Sequence, residues 1–114
     1  MTVTIWHNPR CSKSRQTLAL LEANGAPVEV RHYLQSPPTE AELHWALAQL
    51  GLPAKELLRK GEKLFKDLGL KGVGDENALI AAMATHPILI ERPIAFSNGK
   101  ARIGRPPEAV LDIL

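Results

Sequence analysis

Ile94-Ala95-Phe96-Ser97 and Lys100-Ala101-Arg102-Ile103 stand on either side of Asn98-Gly99. A two-residue turn between such segments needs positive φ at both central positions, and Asn-Gly tolerates this best. The pair predicts an antiparallel hairpin near the C-terminus. Pro106-Pro107-Glu108 then predicts a closing helix, because proline suits a first turn and a carboxylate suits the positive helix end. Val110, Leu111 and Leu114 are its expected apolar face.

The start of the chain has a different grammar. Thr2 to Trp6 is β-branched and aromatic and predicts a strand. His7-Asn8-Pro9-Arg10-Cys11 reads as a turn, and Ser12 to Asn24 has helical periodicity with Ser14, Leu18 and Leu21 on one face. Gly25 is the expected left-handed stop. Val28 to Tyr33 predicts a second strand. Between residues 39 and 86 the patterns are helical throughout. Thr39 and Glu42 have capping-box spacing ahead of Leu43, Leu47 and Leu50, and shorter patterns follow at 54–59, 62–68 and 77–85. The order is β-α-β, a helical block, then β-β-α. Periodicity fixes this order but not the sheet topology.

With 114 residues the chain is expected to form one domain, 1–114. A net charge of +2 with well-mixed signs gives no nucleic-acid reading. No apolar run approaches the roughly 20 residues of a membrane-spanning helix. The N-terminus reads as a strand rather than a signal peptide, so a cytoplasmic location is the default expectation. The single cysteine excludes an internal disulfide and any zinc site built on two thiolates. His7, His32, His44 and His86 have no paired metal-ligand spacing, and no metal is expected.

Cys11 falls between the first strand and the first helix. A helix N-terminus stabilises an anion, which makes a thiol there more acidic and more nucleophilic. Arg10, Lys13 and Arg15 lie within four residues of it, and the first acidic residue of the chain is Glu22. Cations at a helix start are unfavourable by roughly 0.3–1 kcal/mol each, and a bound anion would account for them. His7 can add positive charge or assist proton transfer. The plainer alternative is a cysteine acting as a small buried hydrophobe, with solvated bases around it. A cysteine-phosphatase loop needs an arginine six residues after the cysteine, where this chain has Thr17. Cys11-Ser12-Lys13-Ser14 is instead a C-x-x-S sequence, as used by glutaredoxin-type proteins at a strand–helix junction. Arg59, Arg92 and Arg105 stand out by context, and a guanidinium fork suits an oxyanion. Singly, each is more readily a surface ion pair.

Five segments resemble the glutaredoxin-coupled arsenate reductase family (ArsC-like). They are His7-Asn8-Pro9-Arg10-Cys11-Ser12-Lys13-Ser14-Arg15, Tyr33-Leu34-Gln35-Ser36-Pro37-Pro38, Leu57-Leu58-Arg59, His86 to Ile94 and Arg105-Pro106-Pro107-Glu108. They occur in order and cover nearly the whole chain. The resemblance implies an α/β, thioredoxin-like fold: a mixed four-stranded sheet flanked by helices, with a helical block inserted at about residues 39–86. It implies Cys11 as nucleophile, His7 as the residue that keeps the thiolate charged, and Arg59, Arg92 and Arg105 as the oxyanion site. Ser14 and Arg15 support the loop, and Pro93 matches a position expected to be cis. The implied activity is reduction of arsenate, with glutathione as co-substrate, glutaredoxin as partner and no bound cofactor.

Ser12-Lys13 stands where well-known members have Gly-Thr, and Gly104 where they have Cys. The first departure keeps a second reading open, a thiol oxidoreductase acting on glutathione adducts or another oxyanion. A third is a regulatory binding protein of the same fold. Regulators of that kind carry C-x-x-C, which Ser14 excludes here.

Overall fold

The computed structural model describes residues 2–114. Val3–Trp6 forms β1, Ser12–Ala23 forms α1 and Val28–Arg31 forms β2. β1 and β2 are parallel, as a β-α-β unit requires, with Val3 opposite Val28 and Trp6 opposite Arg31. Ile94–Ser97 (β3) and Lys100–Ile103 (β4) form the hairpin. Asn98 and Gly99 have φ of 57° and 71°, the left-handed pair that the sequence demanded. Asn98 does more than turn the chain, because its side-chain amide donates to the Ile113 carbonyl at 3.0 Å. β3 lies antiparallel to β1, giving a mixed four-stranded sheet in the order β2-β1-β3-β4.

The chain divides into two compact units. The first holds the residues through Ser36 together with Arg92–Leu114. Its core gathers Val3 and Ile5 of β1, Leu21 of α1, Ala95 of β3, and Val110 and Ile113 of the closing helix. Alternation along β1 sends Trp6 to the opposite face, where its ring lies 4.9 Å from that of Phe96. The closing helix, Pro107–Ile113, is a 3-10 helix rather than an α-helix. Its period of three buries Pro107, Val110 and Ile113, and leaves Leu111 and Leu114, expected in the core, exposed.

The second unit, Pro37–Glu91, corresponds to the helical block. It holds Glu40–Leu50 (α2), Ala54–Leu57 (α3), Lys63–Asp67 (α4) and Glu76–Thr85 (α5), with 3-10 turns at Leu70–Gly72 and Pro87–Leu89. The capping box at α2 is complete: Glu42 N–H donates to Thr39 Oγ1 at 3.1 Å, and Thr39 N–H donates to Glu42 Oε1 at 3.0 Å. The block is not wholly helical. Leu58 pairs with Ile90 in an isolated antiparallel bridge, which ends α3 two residues before the expected Arg59. β2 is also shorter than expected. His32 O accepts from both Gln35 and Ser36 N–H, so the chain turns at His32 and buries Tyr33 in the turn rather than in the strand.

Candidate active site

The site begins in the tight loop between β1 and α1. Pro9 and Arg10 form its exposed tip, and Asn8 is its anchor. Asn8 is buried and serves three partners: its carbonyl accepts Cys11 N–H at 3.0 Å, its Oδ1 accepts Arg10 N–H at 3.0 Å, and its N–H donates to Ser14 Oγ at 3.0 Å. Arg15 reaches back from the first turn of α1 and donates through Nη1 to Pro9 O at 2.9 Å. These bonds are local and satisfy polar groups that the turn would otherwise strand. They place Cys11 at the N-cap of α1 with extended backbone (φ −94°, ψ 122°).

Cys11 is half-buried. Burial pushes its thiol up, but the opposing influences win. The N–H of Ser14, a hydrogen bond and positive charge from Arg92, and the N–H of Lys13 together hold it below the ordinary value of 9.0. Both amides belong to the first turn of α1, so the helix start stabilises the thiolate as a helix N-terminus does any anion. Arg105 approaches as well, with Nη2 3.7 Å from Sγ. Its Nε donates to the Arg92 carbonyl at 2.9 Å, so Arg105 is tied to the backbone of the other arginine. The Arg92–Pro93 bond is cis, as expected for Pro93, and so is Arg105–Pro106. Arg92 and Arg105 thus meet Cys11 although each lies more than eighty residues from it in sequence.

His7 directly follows β1. It is buried, and its Nδ1 lies 2.7 Å from Ser14 Oγ. Burial lowers its pKa from 6.5, and the nearby charges of His32 and Arg15 lower it further. This lowering favours the neutral form of the ring. It bears on Cys11 through Ser14, whose hydroxyl it holds and whose amide faces the sulfur. Ser14, the last residue of the C-x-x-S sequence, is itself fully buried and turned to His7 and Asn8.

Arg59 belongs to the second unit. The bridge at Leu58 is flanked by Arg59 N–H donating to Leu89 O at 2.8 Å and Glu91 N–H donating to Leu57 O at 2.7 Å. This sets Arg59 beside Glu91, with Nη1 3.1 Å from Glu91 Oε1, while Nε meets Glu62 Oε1 at 3.3 Å. Among the described residues, no group of three or more His, Cys, Asp or Glu side chains could hold a metal ion.

Sequence reading gave no site role to Asn8, His32 or Glu91, and marked Gly104 only as a departure from the better-known pattern. Asn8 carried a signal, since Asn before Pro favours turn initiation. Glu91 and Gly104 depend on partners remote in sequence. A Cβ at Gly104 would stand 2.5 Å from Thr17 Oγ1 and 2.8 Å from Pro93 Cγ. The Gly104 N–H donates to Pro93 O at 2.8 Å. Glycine at this departure from the better-known pattern is therefore what allows β4 to pass close to Pro93 and α1.

The pattern of the ArsC family matches residues 6–113. The chain belongs to the ArsC family. Its relatives include an uncharacterized protein, YfgD, of Escherichia coli K12, 54% identical over 98% of this chain and 96% of its own length. An arsenate reductase of Neisseria meningitidis serogroup A is 47% identical over 98% of this chain and 97% of its own. Among solved structures, an arsenate reductase from Vibrio cholerae superposes with a TM-score of 0.98 at 52% identity, covering all of this chain and 98% of that one. The α/β architecture with its mixed four-stranded sheet is thus that of solved ArsC structures.

Proposed function

We propose that this chain reduces arsenate to arsenite, with electrons supplied by glutathione and glutaredoxin. The observation that carries the reading is Cys11 at the start of α1, its thiol held below the ordinary value by the α1 amides and Arg92, with Arg105 Nη2 3.7 Å from its sulfur. A nucleophile and two guanidinium groups converge on one point. That is the combination an oxyanion with an electrophilic centre requires. The names of two relatives support arsenate as that oxyanion.

In the proposed sequence, Arg92 and Arg105 bind the arsenate oxygens and Arg59 is the third oxyanion ligand. Cys11 thiolate attacks arsenic, forming an S–As bond and releasing one oxygen, protonated, as water. Glutathione thiolate adds to the same arsenic and a second oxygen leaves as water. A glutaredoxin thiolate then attacks the glutathione sulfur. The glutathione S–As pair stays on arsenic, which becomes trivalent, while the two sulfurs are oxidised to a mixed disulfide. Water releases arsenite and returns Cys11 as thiolate. One cysteine in this chain suffices because both other sulfurs come from partners. The scheme fits a reducing compartment such as the cytoplasm, where thiols are kept free.

The test is purified chain with arsenate, glutathione, glutaredoxin and an NADPH-linked recycling system. Arsenate-dependent NADPH consumption that vanishes in Cys11→Ser is expected. A folded chain showing none overturns the reading. Ser12 and Lys13 are exposed on the first turn beside the nucleophile, so the same assay should also be run with glutathione mixed disulfides. Faster turnover of these than of arsenate would establish the alternative thiol oxidoreductase.

A further inference from the structure

A second concavity lies wholly within the Pro37–Glu91 unit and takes no part in the chemistry above. It has a volume of about 460 Å3 and opens between the end of α3, α4 and the 3-10 turn at Leu70–Gly72. Its floor is apolar, made by the buried side chains of Leu58, Phe65 and Leu70. Its rim is cationic, made by the exposed Lys55, Lys60, Lys66 and Lys71. No aspartate or glutamate lines it. Of the neighbouring carboxylates, Glu62 pairs with Arg59 and Glu76 accepts Ala54 N–H, while Glu56 and Asp67 are exposed and lie outside the lining. Among the described residues, no ion pair or hydrogen bond engages the four ammonium groups.

Small-molecule sites are concave, mostly apolar and of roughly 300–1,000 Å3, with a few polar groups that set orientation. This cavity fits that description. Its polar groups carry one sign only, so they repel one another and raise the local concentration of anions. An inorganic anion would satisfy the rim but leave the floor to water. A neutral apolar molecule would fill the floor but leave the charge unanswered. The geometry points to a binding site for a small amphipathic organic anion, with its apolar body on Leu58, Phe65 and Leu70 and its carboxylate, sulfate or phosphate among the lysines.

Octyl sulfate, kept below its micelle threshold, is a suitable probe, with octyltrimethylammonium and octyl glucoside as cationic and neutral counterparts. The full nitrogen-15-labelled chain is titrated and its amide resonances followed. Saturable shifts centred on residues 55–71 are expected for octyl sulfate. Affinity for octyl glucoside should be at least roughly tenfold weaker, and the cation should not bind, since about 1.4 kcal/mol separates each decade. Lys66→Gln with Lys71→Gln should weaken octyl sulfate severalfold and leave octyl glucoside unchanged. The proposal is overturned by an absence of saturable shifts, by shifts centred elsewhere, by equal binding of all three probes, or by a variant that binds octyl sulfate as the parent chain does. None of these outcomes depends on arsenate turnover.

Discussion

Arg105 reaches Cys11 from the far end of the chain, its Nη2 3.7 Å from the sulfur, while its Nε is fixed on the Arg92 carbonyl at 2.9 Å. One guanidinium therefore links the nucleophile to the loop that carries the second arginine. Arg105→Ala removes both contacts. A hydrogen bond to a charged group is worth roughly 1.5–3 kcal/mol, and the exposure of Arg105 favours the lower end. Arsenate kcat/KM should fall by roughly tenfold. Arg105→Lys should recover only part, since one ammonium nitrogen replaces two guanidinium nitrogens held in a fixed fork toward different partners. Steady-state kinetics of both variants checks this.

Arg92 acts on the same thiolate by hydrogen bond and by charge. With the Cys11 pKa held below 9.0, its alkylation by iodoacetamide should reach its plateau at lower pH than that of an unperturbed thiol. Arg92→Gln removes a stabiliser of the charged form, so the midpoint of the pH–rate curve should move upward and neutral-pH labelling should slow. An unchanged midpoint would mean that the α1 amides alone hold the thiolate.

Arg59 stands between two carboxylates, at 3.3 Å from Glu62 and 3.1 Å from Glu91. Only a planar fork spans both. If Arg59 is the third oxyanion ligand, Arg59→Ala should raise the arsenate KM by roughly tenfold, for loss of one charged contact of about 1.5 kcal/mol. The alkylation profile of Cys11 should stay in place. A change in stability with unaltered KM would restrict Arg59 to its ion pairs.

His7 gives a pH dependence of stability whose sign is fixed. Its folded pKa is below 6.5, so the unfolded chain binds more protons in this range and stability rises with pH. The contribution is complete above pH 6.5 and is lost as pH falls through the lowered folded value. Denaturant midpoints measured across acidic pH should show this decline, and His7→Gln should remove that part of it. At pH 7.5 the variant's thiol reactivity reports whether the contact with Ser14 Oγ, at 2.7 Å, also positions the amide that faces Cys11.

Much of this fold is written in short-range signals. Asn98-Gly99, the Thr39–Glu42 box and Gly25 each depend on neighbours within a few residues, and each takes the predicted conformation. Some of the misjudged features involve partners the local pattern does not contain. α3 ends early because Leu58 pairs with Ile90 across thirty-two positions. The closing helix has a three-residue period that buries Pro107, Val110 and Ile113, the last two against β1, α1 and β3. In the site, Cys11 was legible from its place before α1 and its basic neighbours. The lowered pKa of His7 was not, because it comes from burial and from His32, which the chain brings near only by folding.

Gly104 is the clearest case of a residue whose meaning is purely tertiary. Its φ is not in the left-handed region, so no turn requires glycine there. The constraint is space, with Thr17 Oγ1 2.5 Å and Pro93 Cγ 2.8 Å from where a Cβ would sit. Thr17 cannot simply rotate away, because it is fully buried and its hydroxyl donates to Lys13 O at 2.8 Å. Gly104→Ala should therefore destabilise the chain by about 1–3 kcal/mol, the usual cost of forcing an extra carbon into a packed site. It should also disturb Cys11 chemistry, since Pro93 follows Arg92 and Gly104 precedes Arg105. Thr17→Ala removes both side-chain atoms on one side of the clash. Combined with Gly104→Ala, it should cost less than the two single changes added together, a coupling expected of residues in contact. Urea denaturation of the two single variants and the double variant measures this directly. Strict additivity would show that β4, rather than Thr17, gives way.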